Sequence, residues 1–277
     1  MTTEQKPLKS GFGAKATARE ILAWCDLTGK IAIVTGGYSG VGLETTRALA
    51  EAGATVVVPA RTQEKARTAL DGIPRVELET LELIDHASID AVADRFLDSG
   101  RPLDILINNA GIMAPPLQRD ARGYESQFAT NHLGHFQLTA RLWPALKRAG
   151  RARVVSVSST GISFGGVDFD DPNFERREYD KWKAYGQSKT ANALFAVALD
   201  KRGQAHGIRA FSVHPGGIYT DLARHLSAEE LAFEGELKTP EQGAATSVWC
   251  ATSPQLKGKG GVYCMDADSQ HHGGALA

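Results

Sequence analysis

A tyrosine and a lysine stand one helical turn apart in the stretch "KAYGQSKTAN", at Tyr185 and Lys189. A free phenol titrates at about 10 and is a poor base at neutral pH. Bringing it to about 7 takes roughly 4 kcal/mol. A unit positive charge about 4 Å away, at an effective dielectric of about 20, supplies a similar amount. The i,i+4 spacing puts both side chains on one helical face. One ammonium is therefore of the right size to make this tyrosine an acid or base near neutrality. Alone, Tyr-x-x-x-Lys arises often by chance, and its meaning depends on what surrounds it.

A second constellation lies near the start of the chain, in "IAIVTGGYSGVGLETTRALAEAG". It reads as a strand, a glycine-rich turn and an amphipathic helix, the order needed to seat a pyrophosphate. Gly36 permits the tight turn, Gly40 lets the backbone approach phosphate oxygens, and Gly42 allows close packing of helix on strand. The helix N-terminus offers unpaired N–H groups and a positive dipole end. In this context the turn points to a nucleotide site.

The elements that must position these groups alternate along the chain. "IAIVT", "TVVVP", "DILINN", "ARVVSVSS", "IRAFSVHP" and "GGVYCMD" are strand-like, and "VELETLEL" adds one more. Several are near-continuous apolar runs, as expected of parallel strands covered on both faces. Helical stretches such as "LETTRALAEAG", "ASIDAVADRFLDSG" and "SKTANALFAVALDKRG" lie between them, with Gly53, Gly100 and Gly203 read as C′ residues. The alternation predicts one α/β domain over residues 29–277: a doubly wound, Rossmann-like parallel sheet of about seven strands with helices on both faces, three layers in all. Residues 1–28 precede it, and Thr17 and Glu20 have capping-box spacing for a short surface helix. Residues 160–182 form a long connection rich in acids and aromatics, and such loops near a sheet's carboxyl edge are often functional.

At 277 residues, 42% hydrophobic and 23% charged, the chain suits a soluble globule with a sizeable core. A net charge of −1 gives no reason to expect nucleic acid or an anionic membrane as partner. Cys25, Cys250 and Cys264 are scattered and odd in number, which favours a reducing compartment. No apolar run approaches the roughly 18–20 residues that span a bilayer, and the first residues lack the apolar region of a signal peptide. The expectation is a cytoplasmic protein.

The glycine spacing is GxxxGxG rather than GxGxxG. With it the chain resembles the short-chain dehydrogenase/reductase family, whose signature TGxxxGxG matches Thr35 through Gly42. Further family motifs follow in order: "NNAG" at 108–111, Asn131 in "TNHLGHF", the serines of "VSVSS", "YGQSK", and "HPGGIYT" at 214–220. The TGxxxGxG form and the length suit the compact branch, and "NHLGHF" with the 160–182 insertion resembles retinol dehydrogenases and carbonyl reductases. A membrane anchor usual in the retinoid enzymes is absent, so retinoid or steroid specificity is not carried over.

The resemblance implies a nicotinamide cofactor held by Gly36, Tyr38, Ser39, Gly40 and Val41 in the turn, by Asn109, Ala110 and Gly111, and by Pro215, Gly217, Ile218 and Thr220. Glu82 and Leu83 match a family Asp-Leu pair that contacts adenine. Where NAD-preferring relatives place a carboxylate after the second strand, this chain has Pro59, Ala60 and Arg61, and a guanidinium there suits a 2′-phosphate. NADP is the expected cofactor, with NAD the alternative. Tyr185 becomes the general acid/base, and Lys189 its cation and a holder of the nicotinamide ribose. Asn131 positions a water in a proton relay. A serine of the fifth strand polarises the substrate oxygen; strand register points to Ser159, and an alignment through Gly161 to Ser158.

The implied activity is hydride transfer between the cofactor and a carbonyl or alcohol, with a non-catalytic NADP-binding redox sensor as the rival class. The family often forms dimers or tetramers through the helices holding 119–148 and 180–203, a surface the 160–182 insertion could cover instead. Residues 221–239 correspond to the substrate lid. His132 and His135 have metal-compatible spacing but no completing ligand. Asp168–Asp171 reads as a solvated loop, Trp182 and Tyr179 as substrate wall or packing, and His271 and His272 as a solvated tail, with a place at the pocket mouth the alternative.

Overall fold

Ala32 and Val34 point to one face of their strand and Ile33 to the other, yet all three are buried. Period-two alternation with both faces apolar requires a covered sheet. The computed structural model, which describes residues 3–231 and 236–270, has that sheet. Its strands are β1 (Ile31–Val34), β2 (Thr55–Ala60), β3 (Val76–Thr80), β4 (Ile105–Asn108), β5 (Arg153–Val157), β6 (Arg209–His214), β7 (Val262–Met265) and β8 (Asp268–Ser269). Their order is β3-β2-β1-β4-β5-β6-β7-β8. All neighbouring pairs are parallel except β7 with β8. The eighth strand corrects the expected count of about seven; two residues are too few to carry a periodic signal.

The helices are α1 (Ala18–Leu22), α2 (Gly40–Glu51), α3 (Gln63–Leu70), α4 (His86–Asp98), α5 (Ser126–Phe128), α6 (Gly134–Arg141), α7 (Trp143–Ala149), α8 (Lys181–Gly203) and α9 (Pro240–Thr252). Leu49 of α2, Leu70 of α3 and Trp249 of α9 join the Ala32, Val34 and Val56 face. Ile89 of α4, Leu138 of α6, Leu146 of α7 and Leu199 of α8 join the Ile33 and Val57 face. The chain forms the expected three-layer, single-domain Rossmann-like fold.

The N-terminal segment has the predicted helix, with Thr17 and Glu20 forming a full capping box. It also finishes the sheet edge: the Gln5 carboxamide donates to Tyr263 O at 2.8 Å and accepts from Tyr263 N at 2.8 Å. β8 reaches only Cys264 and Met265 of β7, and Gln5 takes the neighbouring Tyr263 groups. Gly53 and Gly100 follow helix C-caps with positive φ as expected. Gly203 does not; it is the last residue of α8, and the left-handed stop is Gly207 at φ 71°. Among the described residues no helix is long and apolar enough to cross a membrane.

The topological reversal falls between β1 and β4, whose carboxyl ends lie side by side with Val34 opposite Ile107. Chains leaving these strands turn to opposite faces, so a crevice must open there. α8, resting on β5 and β6, brings its first turns to the same edge.

Candidate active site

That edge holds a cleft of about 530 Å³. At one end the glycine-rich turn forms its floor. Gly36 adopts φ +64°, and a Cβ on Gly42 would lie 2.3 Å from Gly36 O. Only a residue without a side chain lets α2 start this close to the turn. The predicted Gly36, Tyr38, Ser39, Gly40 and Val41 border the cleft here. Arg61, Glu82 and Leu83 border it beyond the ends of β2 and β3, and among the described residues no carboxylate pairs with Arg61. Pro215, Gly217, Ile218 and Thr220 border it from the loop after β6.

Asn109, Ala110 and Gly111 also border the cleft, and the Thr35 hydroxyl fixes their course. It accepts from Asn109 N at 2.9 Å and Ala110 N at 3.0 Å. The Asn109 amide returns a bond to Thr35 O at 2.9 Å. Because a carbonyl only accepts, His135 donates from Nδ1 to Asn131 O at 2.9 Å. That leaves Nε2 to accept from the Thr35 hydroxyl, 2.8 Å away. Burial pulls His135 down to about 4, so it stays neutral and this direction holds. His132 stacks among Phe128, Phe136 and Phe195 and reaches Asn192 Oδ1 at 3.2 Å. Both histidines are thus engaged in packing and hydrogen bonds, without a shared centre.

Asn131 does not border the cleft but stands behind it, fully buried in a π-helical turn, Ala129–Leu133. Such turns interrupt a helix where a side chain must reach a set place. Its Oδ1 accepts from Ile112 N at 2.9 Å, and its Nδ2 donates to Ile112 O and Ser188 Oγ, each at 3.0 Å. The cleft-lining segment after "NNAG" is held at both of its backbone groups.

Tyr185 and Lys189 line the middle of the cleft from one face of α8, 5% and 3% exposed. Lys189 Nζ lies 5.5 Å from the centroid of the Tyr185 ring and donates to Val157 O at 3.1 Å. Burial pushes Tyr185 up to about 12, opposed by a hydrogen bond from the Ser159 side chain. Burial also brings Lys189 down to about 8. Burial thus opposes the expected lowering of the phenol, and Lys189, 5.5 Å from the ring centroid, does not offset it in the protein as it stands.

The two serines part company. Ser158 turns inward and donates to Lys189 O at 2.7 Å. Ser159 Oγ accepts from Gly161 N at 3.0 Å and meets Tyr185. Gly161 is a glycine because a Cβ there would lie 2.8 Å from the Tyr185 ring.

Beyond Tyr185 the cleft is walled by side chains from segments far apart in sequence. Phe164 and Trp182 meet edge to face at 5.5 Å. Glu230, from the expected lid, accepts from Trp182 Nε1 at 3.2 Å and pairs with Lys181 at 2.7 Å. Lys181 holds the Glu230 carboxyl down at about 2. Tyr179 faces away from the cleft and donates to Pro115 O at 3.1 Å. Asp171 is no solvated acid: it is buried and takes the amides of Glu175, Arg176 and Arg177. The 160–182 segment leaves Phe136, Leu194 and Val197 exposed on α6 and α8. Residues 232–235 of the lid, His271 and His272 lie outside the described residues.

Sequence reasoning missed Glu230, Lys181 and His214, which accepts from Thr160 N at 3.3 Å beside the cleft. It also missed Lys65, whose one available signal was a second cation four residues after Arg61.

The comparisons agree with this geometry. The short chain dehydrogenase family model matches residues 30–231. A "Probable oxidoreductase" of Streptomyces lividans is 48% identical over 259 residues, covering 87% of this chain and 86% of that protein. Human retinol dehydrogenase 12 is 41% identical over 249 residues, covering 87% of this chain and 78% of its own length. Pseudomonas aeruginosa RhlG, solved as an NADP active-site complex, superposes with a TM-score of 0.71 at 25% identity, over 87% of this chain and 95% of that one. The chain belongs to the short-chain dehydrogenase family of oxidoreductases.

Proposed function

We propose that the protein is an NADP-dependent oxidoreductase acting on a carbonyl or alcohol substrate, with Tyr185 as the acid that protonates the substrate oxygen. The observation that carries this is the meeting of Tyr185, Ser159 and Lys189 in the same cleft as the glycine-rich cradle. The cradle fits a dinucleotide: its backbone approaches too closely for any side chain at Gly42, and Arg61 stands ready for a phosphate. RhlG, with which the fold superposes, was solved with NADP.

When bound, the reduced nicotinamide supplies a hydride to the carbonyl carbon. The rest falls to this chain. Ser159 donates to the carbonyl oxygen and stabilises the charge that builds there. Tyr185 passes its phenolic proton to that oxygen as the alkoxide forms, so the product alcohol leaves neutral. Lys189 stabilises the transient phenolate. Asn131 fixes the Ile112 backbone, and with it the wall beside the reacting centre. Burial favours the protonated phenol, the form that reduction uses. Oxidation of an alcohol needs the phenolate and is favoured by alkaline conditions.

The uncovered apolar face of α6 and α8 favours pairing of two copies there over a monomer. The functional test is NADPH consumption at 340 nm against a panel of aldehydes, ketones and diketones. Turnover of at least one carbonyl, with NADPH preferred to NADH, is expected. NADPH binding with no turnover of any of them would instead favour a non-catalytic sensor.

A further inference from the structure

An ion pair bridges the nucleotide end of the cleft. Lys65, in the first turn of α3, places Nζ 3.0 Å from Asp221 Oδ2. Asp221 opens the 3₁₀ turn Asp221–Ala223 that begins the lid, and both residues border the cleft. The adjoining Thr220 closes on the glycine-rich turn, where a Cβ on Gly40 would lie 3.0 Å from its methyl group. Arg61, four residues before Lys65 and just ahead of α3, borders the same end, as does Glu82.

We propose that Lys65 is a second reader of the cofactor's 2′-phosphate, and that Asp221 competes with that phosphate for it. This rests on the reading of the cleft as an NADP site. The pair is 58% and 68% exposed, so water screens it and it opens readily. A phosphate monoester carries nearly two charges and three acceptor oxygens, and it outcompetes one carboxylate for an ammonium. A nucleotide without the 2′-phosphate leaves Lys65 on Asp221. The lid's first turn is thus tied down by one class of cofactor and released by the other.

The test is calorimetric titration of the full-length protein with 2′,5′-ADP and 5′-AMP, which differ in the 2′-phosphate alone. The intact protein is expected to prefer 2′,5′-ADP. Lys65→Met should weaken 2′,5′-ADP about fivefold and leave 5′-AMP unchanged. Asp221→Asn should strengthen 2′,5′-ADP about threefold, and that gain should vanish in the double variant. A gain that persists without Lys65 would reduce Asp221 to bulk charge and overturn the competition. If Arg61→Ala abolishes the preference while the Lys65 and Asp221 variants match the intact protein, the inference fails and the NADP reading stands. No preference in the intact protein would sink both.

Discussion

The two ends of the cleft are built from different materials. At the nucleotide end the walls are main chain: a turn that closes through Gly36 and Gly42, and a loop hung from the Thr35 hydroxyl by two amides. At the far end they are side chains from three separate segments, with Phe164 against Trp182 and Glu230 reaching back from the lid to Lys181. Main-chain walls suit a ligand whose phosphates and ribose are fixed, because amides sit at set intervals. Side-chain walls suit a ligand that differs from one family member to the next, since each wall residue can change without moving the backbone. Tyr185 and Ser159 stand where the two constructions meet.

The contrast can be broken most forcefully at the nucleotide side. Asn131→Ala strips partners from the Ile112 amide, the Ile112 carbonyl and Ser188. At about 1 kcal/mol for each lost bond, a destabilisation of about 3 kcal/mol is expected. The melting temperature should then fall by about 5 °C. An unchanged melting temperature would mean the π-helical turn is not held by this side chain.

The reacting centre comes next. Tyr185 keeps its proton up to about 12, whereas Lys189 is a full cation only below about 8. If reduction needs both in that state, kcat/KM should be level below about 8 and fall about tenfold per pH unit above it. Lys189→Arg, which stays charged, should remove that limb even if it lowers the plateau. A profile that falls only near 10 would mean that the lysine is not titrating as its burial implies.

The smallest effect is expected at the far end. Glu230→Gln opens the contact with Lys181 but touches no part of the nucleotide cradle. KM for the carbonyl substrate should shift about two- to fivefold, with kcat and the NADPH dissociation constant unchanged. A change in cofactor affinity would show that the two ends are not separable.

The same contrast explains what could be read from the chain. A main-chain wall needs glycine, asparagine and threonine at fixed intervals, so Gly36, Gly42 and Asn109 stand out in the sequence. The sheet was legible for a related reason: strands covered on both faces are apolar throughout, as in "IAIVT" and "TVVVP". A wall of side chains leaves no interval. Glu230 is one acid among many until the fold sets it beside Trp182, 48 residues earlier. Asp171 looked like surface because the three amides that hydrogen-bond its carboxylate come from its own loop. The burial of Tyr185 was out of reach too, since the pair's spacing shows only the attraction and the fold shows the opposing cost.

The most direct test of the chemistry is Tyr185→Phe, which removes one oxygen and leaves the ring against Gly161. NADPH binding followed by fluorescence should be near that of the intact protein. Single-turnover reduction of a carbonyl substrate should slow about 10²–10⁴-fold, the range a positioned acid supplies. Unslowed hydride transfer with NADPH fully bound would contradict the assignment of that phenol as the proton donor.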